Sequence, residues 1–294
     1  MLDVRKLRLL RELAQRGTIA AVAEALAYTP SAVSQQLTAL ERETGVPLLE
    51  RTGRRVTLTP AALGLVEHTE AILAQLATAE TALQNAARAL SGVLRIGAFP
   101  TAIPALVTPA IVALSTEHPS LGLTVVELDP ASVPDALRTE AVDIALVQEY
   151  DHVPVAAQPG LHTDPLLEET VYLAARRTRS LRSLRDTPWI AGTPGTLCHT
   201  LTIRACEAAG FTPHIRHHAD DFGTVLALVA ADQGAAFVPQ LAVTTPPSGV
   251  ALTPLAIHRR TRLAYRRGTA NHPAITAART ALESAAAAIS HTVG

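Results

Sequence analysis

The 294-residue sequence predicts a multidomain α+β protein in three parts: a small helical head with a β-hairpin, one long helix, and two α/β lobes. Three observations carry that prediction. Residues 18–40 read as two short helices around a tight turn, and a basic hairpin follows. Residues 60–90 keep an apolar file in seven-residue steps. Beyond Ser91-Gly92 the pattern changes to strands alternating with helices, as in a parallel sheet.

The head opens with a helix over 2–15, turning Leu7, Leu10 and Leu13 or Ala14 inward and ending at Gly17. Thr18 caps a second helix over 19–26, where Ala20, Ala23 and Ala27 recur at helical spacing and permit a close crossing. Tyr28 and Thr29 make the turn. Pro30 takes the first position of the third helix with Thr29 as its cap. Val33, Leu37 and Leu40 form one apolar face, and Gly45 ends the helix. Ser31, Ser34, Gln35 and Thr38 lie opposite, uncharged hydrogen-bonding groups that no core requires.

Residues 46–49 then start an apolar strand. Residues 50–55 carry Arg51, Arg54 and Arg55 around Gly53, and Val56 and Leu58 alternate with Thr57 and Thr59 on the way back. A helix-turn-helix beside a basic wing suits DNA: the polar face meets base edges in a major groove, and the arginines meet phosphates. The predicted DNA contacts are Thr29, Ser31, Ser34, Gln35, Thr38, Arg51, Arg54 and Arg55. Residues 1–60 hold nine Lys+Arg against six Asp+Glu, in a chain of net charge -1. Arg5, Arg8 and Arg11 either brush the same DNA backbone or face solvent.

The stretch SAVSQQLTALERETGVPLLERTGRRVTLTP resembles the N-terminal signature of LysR-type transcriptional regulators in spacing and order. The later chain has the arrangement of that family's effector domain, so the resemblance covers nearly all of it. It implies a sequence-specific regulator on double-stranded promoter or operator DNA, switched by a small-molecule effector between two lobes and acting as a homodimer or homotetramer. Three departures stand out: Leu49 where the family often has Phe, Ala62 where Gly is common, and Gln35 where Arg is frequent. The last leaves the base preference open.

Pro60 opens a helix reaching to about residue 90. Leu76, Leu83 and Leu90 recur on it with Val66, Leu73 and Ala87 at the complementary position, and Leu65, Ile72, Ala79 and Ala86 widen the stripe. Such a stripe needs a partner, and a second copy is the simplest one. The expected division is a DNA-binding domain over 1–59, a linker and dimerisation helix over 60–90, and an effector-binding domain over 93–294. Within the last, lobe I spans about 93–160 and 250–294 and lobe II about 161–249.

Lobe I is expected to run strand 93–97, helix 102–116, strand 121–128, helix 132–139 and strand 143–147. Residues 161–166 cross into lobe II, with strands 170–175, 188–192, 214–218 and 234–238 and helices 196–209 and 221–231. Residues 250–255 and 260–265 return, and a helix over 273–290 closes the lobe. Two such lobes with two crossovers resemble periplasmic solute-binding proteins, which hold ligands in the cleft. Strand ends and helix starts face that cleft, where free amides favour an anion. This places Phe99, Thr101, Gln148, Gly195, Thr196, Phe222 and Val238 at the effector, Thr101 foremost. Basic side chains are few there, so the expected ligand is a small polar or weakly anionic metabolite held by hydrogen bonds rather than ion pairs.

Apolar content of 48% with 17% charged residues excludes a disordered chain. No stretch approaches the roughly 20 uncharged apolar residues of a membrane helix, and the charged N-terminus is no secretory signal, so a cytoplasmic protein is expected. Cys198 and Cys206 fit a reducing compartment. A thiol-redox sensor built on them is one alternative reading, although a bridge across one helix would require unwinding. A DNA-anchored solute-binding module without switching is another. His214, His217 and His218 read as a polar strand edge rather than a metal site. No nucleophile elbow, phosphate loop or dinucleotide turn argues for an enzyme or a cofactor.

Overall fold

Capping chemistry sets the head of the protein, seen here in a computed structural model that describes residues 2–52, 55–85, 90–154, 158–243 and 246–292. The Asp3 carboxylate accepts from the Arg5 amide at 2.8 Å to start α1 (Val4–Arg16), which ends at Gly17 with φ +72°. Thr18 caps α2 (Ile19–Ala25) and Thr29 caps α3 (Pro30–Thr44), their hydroxyls accepting from Ala21 and Ala32 amides at 3.2 Å. Leu7, Leu9, Leu10, Leu13, Val22, Ala23, Val33, Leu37 and Leu40 share one core. Of the predicted alanine trio only Ala23 is buried. Ala20 is exposed, and Ala27 sits in the turn at φ +55° because α2 already stops at Ala25.

The hairpin pairs β1 (Leu49–Thr52) antiparallel with β2 (Arg55–Leu58). It starts later than predicted. The Glu41 carboxylate of α3 accepts from the Leu48 and Leu49 amides at 2.9 and 3.0 Å, which ties the segment before the strand to the helix. Thr59 caps α4 (Pro60–Asn85) through the Ala62 amide. Leu65, Val66 and Ile72 pack on the head, whereas Leu76 is 44% and Leu83 75% exposed. Of the rest of the predicted stripe, Ala86 and Ala87 lie outside the described residues, and Leu90 is beyond the helix, packed against the core of the following domain.

That domain runs β3 (Gly92–Ala98), a π-helical turn (Ile103–Val107) leading into α5 (Thr108–Glu117), β4 (Leu121–Glu127), α6 (Val133–Arg138) and β5 (Ile144–Tyr150). It continues through β6 (Leu161–Ala175), β7 (Pro188–Ala191), α7 (Leu197–Ala208), β8 (His214–His218), α8 (Phe222–Ala230), β9 (Ala236–Pro239), β10 (Ala251–Arg266) and α9 (Pro273–Thr292). Parallel pairing holds for β3 with β4 and β5, and for β7 with β8. It fails at β10, which is antiparallel to β5 and β6, and at β9, antiparallel to β6. The reason is continuity. Each predicted crossover and its neighbouring strand form one strand, β6 of 15 and β10 of 16 residues, so one six-stranded sheet in the order β4-β3-β5-β10-β6-β9 serves both lobes. Among the described residues no helix is long and apolar enough to cross a membrane.

Candidate functional site

On the head, Thr29, Ser31 and Gln35 are exposed and Ser34 and Thr38 half-buried, all on the α3 face away from Val33, Leu37 and Leu40. Arg51 lies on β1 and Arg55 on β2, while Arg54 lies outside the described residues. The helix face and the hairpin thus come from neighbouring elements of one small core.

Between the lobes lies a cavity of about 970 Å³. Phe99, Thr101, Gln148, Gly195, Thr196 and Phe222 line it. Val238 does not: every residue of β9 is buried, and Val238 packs with Ala174, Ile190, Val225 and Val229 inside lobe II. The hydroxyl of Thr101 is buried without a partner. That of Thr196 is occupied, donating to the Thr193 carbonyl at 2.8 Å and accepting from the His199 amide at 3.2 Å as the α7 cap. Gly195, at φ +98°, makes the left-handed turn that brings this helix start to the cavity.

The sequence reading missed the floor of the cavity. Arg259 lines it yet is only 1% exposed. Its Nε donates to Glu169 Oε1 at 2.6 Å and its Nη1 to Gln148 Oε1 at 3.0 Å, while its carbon centre lies 5.0 Å from the centroid of the Phe99 ring. Glu169 accepts the Leu241 amide with its other oxygen. Nη2 remains buried without a partner. Burial works against the guanidinium charge, but Tyr150 and Glu169 hold its pKa above the ordinary value. Tyr150 is itself neutral near pH 7, because burial pushes its phenol well up, so Glu169 supplies the charge. A sequence signal did exist: Ile257, Arg259, Thr261 and Leu263 alternate onto the buried face of β10.

Five carboxylates also line the cavity: Glu127, Asp129, Glu149, Asp220 and Asp221. Asp220 accepts from the Thr193 amide and hydroxyl, and Asp221 caps α8 through Thr224. Cys198 lies there too, 3.6 Å from the Tyr150 hydroxyl, and burial raises its thiol pKa. Cys206, on the same helix, is buried in the lobe II core, where desolvation pushes it up to about 12. Neither cysteine is disulfide-bonded. His217 and His218 stand opposite Ile190 and Ala191 on β7, and His218 Nδ1 lies 3.0 Å from the Gly192 carbonyl oxygen.

Residues 4–63 match the family model described as a bacterial regulatory helix-turn-helix protein of the lysR family, and residues 87–287 match the LysR substrate binding domain. The chain belongs to the LysR family. As a LysR-type transcriptional regulator it combines a DNA-binding head with an effector-binding domain, and regulators of this type bind promoter DNA and small-molecule effectors and form oligomers. A probable hydrogen peroxide-inducible genes activator of Streptomyces viridosporus is 30% identical over 291 residues, covering 91% of this chain and 92% of that one. The transcriptional dual regulator GltC of Bacillus subtilis is 27% identical over 257 residues, 83% and 84% of the two chains. An OxyR mutant of Corynebacterium glutamicum is 25% identical, with TM-score 0.58 over 99% of this chain and 94% of that one. Full-length CbnR in complex with its target DNA shares the fold at 22% identity and TM-score 0.54, over 97% and 100% of the chains.

Proposed function

We propose that this LysR-type regulator answers to a small effector carrying one carboxylate, held in the interlobe cavity by Arg259 and Thr101. The observation that carries the reading is the unused Nη2 of a buried, pre-positioned guanidinium at a cavity wall. An unsatisfied buried donor is unfavourable, and a carboxylate oxygen is its strongest neutral-pH partner. The unpartnered Thr101 hydroxyl adds a second donor. The surrounding carboxylates disfavour a polyanion, so a single negative group fits best. This revises the expectation of a ligand held by hydrogen bonds alone.

On the same reading, Ser34 and Gln35 meet base edges, while Arg51, Arg54 and Arg55 meet the DNA backbone. The division into head 1–59, linker helix 60–90 and effector domain 93–294 follows, with lobe I about 93–160 and 250–294 and lobe II about 161–249. The exposed Leu76 and Leu83 support a second copy along α4. A cytoplasmic, non-catalytic protein accords with this assignment.

The test is calorimetric titration of the wild-type protein with small carboxylic acids and their primary amides. An acid that binds while its amide does not is the expected result. Amides binding as tightly as acids would remove Arg259 from the role. A thiol-redox reading has one observation in its favour, the place of Cys198 in the cavity. Intact-mass analysis after peroxide treatment decides it, with an unchanged mass expected, since the raised pKa leaves little thiolate.

A further inference from the structure

A second cavity, of about 330 Å³, lies where the head and α4 meet lobe I. Its walls are Arg5, Arg8 and Arg11 from α1, Glu70 and Glu80 from α4, Arg138 and Glu140 at the end of α6, and Arg266 and Arg267 at the end of β10. Six arginines therefore face three glutamates. Of the α1 arginines, Arg5 and Arg8 stay exposed, with Arg8 reaching Glu140 beyond α6 at 3.1 Å, while Arg11 is buried and pairs with its neighbour Glu12 at 2.5 Å.

The two innermost cations are short of partners. Arg11 is 7% exposed and the Arg138 side chain 8%, and the Nε of each is buried with nothing to donate to. Arg138 has Asp135 at 3.4 Å and the Gln158 amide oxygen at 3.1 Å, while Arg266 gives its Nη1 to the Leu137 carbonyl. Burial pulls the Arg138 pKa down, and the charge of Arg11 pulls it the same way, against Asp135, Glu12 and Glu70. Two like charges thus share a desolvated space with unused donors, an arrangement that an anion between them relieves.

We propose that this junction is a second ligand site, for a small oxyanion of the phosphate class, free or as the terminal group of a metabolite. A tetrahedral oxyanion accepts from several guanidinium forks at once and carries more than one charge, which suits six arginines facing three glutamates with Glu12 and Asp135 behind them; a carboxylate brings fewer oxygens and a single charge. The site is separate from the interlobe cavity, but the two share Leu161 in their walls, and Gln158 of the interlobe cavity accepts from Arg138. Because it joins α1 to lobe I, an occupant that binds the docked arrangement better than an undocked one favours it by that difference.

The test uses the full-length protein in phosphate-free buffer at constant ionic strength, titrated calorimetrically with inorganic phosphate and with pyrophosphate, and with potassium chloride as the control. Saturable binding is expected, tighter for pyrophosphate, weakened about tenfold or more by Arg138→Gln and by Arg267→Gln and unchanged by Thr101→Val in the other cavity. The second variant guards against misfolding of the first. Tighter binding of methyl phosphate than of phosphate points to a metabolite's phosphate group, the reverse to the free ion. Equal titrations of wild type and both variants, or heats no larger than those of chloride, overturn the proposal. Wild-type protein that takes up neither anion, with Arg138→Gln lowering DNA affinity and its salt slope instead, overturns it in favour of a DNA phosphate.

Discussion

Arg259 is buried and Arg138 mostly so, and both keep an unused donor, but they face pockets of opposite character. Arg259 has a dedicated carboxylate, Glu169, at 2.6 Å, and lies on the floor of a cavity whose other charged lining residues are all acids. Arg138 has a looser partner at 3.4 Å and is crowded by other arginines. The first arrangement is neutral and leaves one directional donor, so it discriminates by hydrogen-bond geometry. The second retains net positive charge, so it discriminates by the number of charges on the ligand. A buried guanidinium alone therefore says little about what it binds; its neighbours decide.

The sharpest way to break this comparison is to remove each charge in turn. Arg259→Met strands a buried Glu169, and urea unfolding is expected to show a loss of about 3–5 kcal/mol. A smaller loss would mean that Glu169 takes up a proton or finds water. Next in size is the DNA face, which contributes no residue to either cavity. Gln35→Ala is expected to reduce discrimination at one or two base pairs by about 1–3 kcal/mol, measured by competition binding on selected DNA. Arg54→Ala should instead weaken all sequences alike and flatten the salt dependence. Thr101→Val keeps the shape of the interlobe cavity and deletes one hydrogen bond, so effector affinity should fall by about 0.5–1.5 kcal/mol with apo DNA binding intact. Smallest is Arg138→Met, which relieves like-charge crowding. Its stability should stay within about 0.5 kcal/mol of wild type in phosphate-free buffer, and a loss matching that of Arg259→Met would erase the distinction.

The head was the most legible part because its signals are local. Thr18, Thr29, Pro30, Gly17 and Gly45 act within a few residues of themselves, and the structure uses them as caps and stops. The long strands were not legible as single elements. Each holds a proline, Pro165 in β6 and Pro254 in β10, and proline cannot donate to a ladder. Both sit beside register shifts, where β6 and β10 are out of step and the missing donor is tolerated. The floor of the cleft was lost with them. Arg259 fell between two predicted strand fragments, and its partners Glu169 and Gln148 come from elsewhere in the chain. Likewise the destination of Arg8 depends on lobe I, since its partner Glu140 lies more than a hundred residues away.

The Glu41 carboxylate has a consequence for gene control. It sits on the helix that carries Ser34, Gln35 and Thr38, and it grips the root of the hairpin through two amides. Helix and hairpin root are therefore joined like the two arms of a caliper at its pivot, by a link that involves no residue of either cavity. Regulation has to work on what the caliper does not set: the span and tilt between the heads of an oligomer. The effector is accordingly expected to change the preferred number of base pairs between half-sites, and to leave the base preference within a half-site as it is.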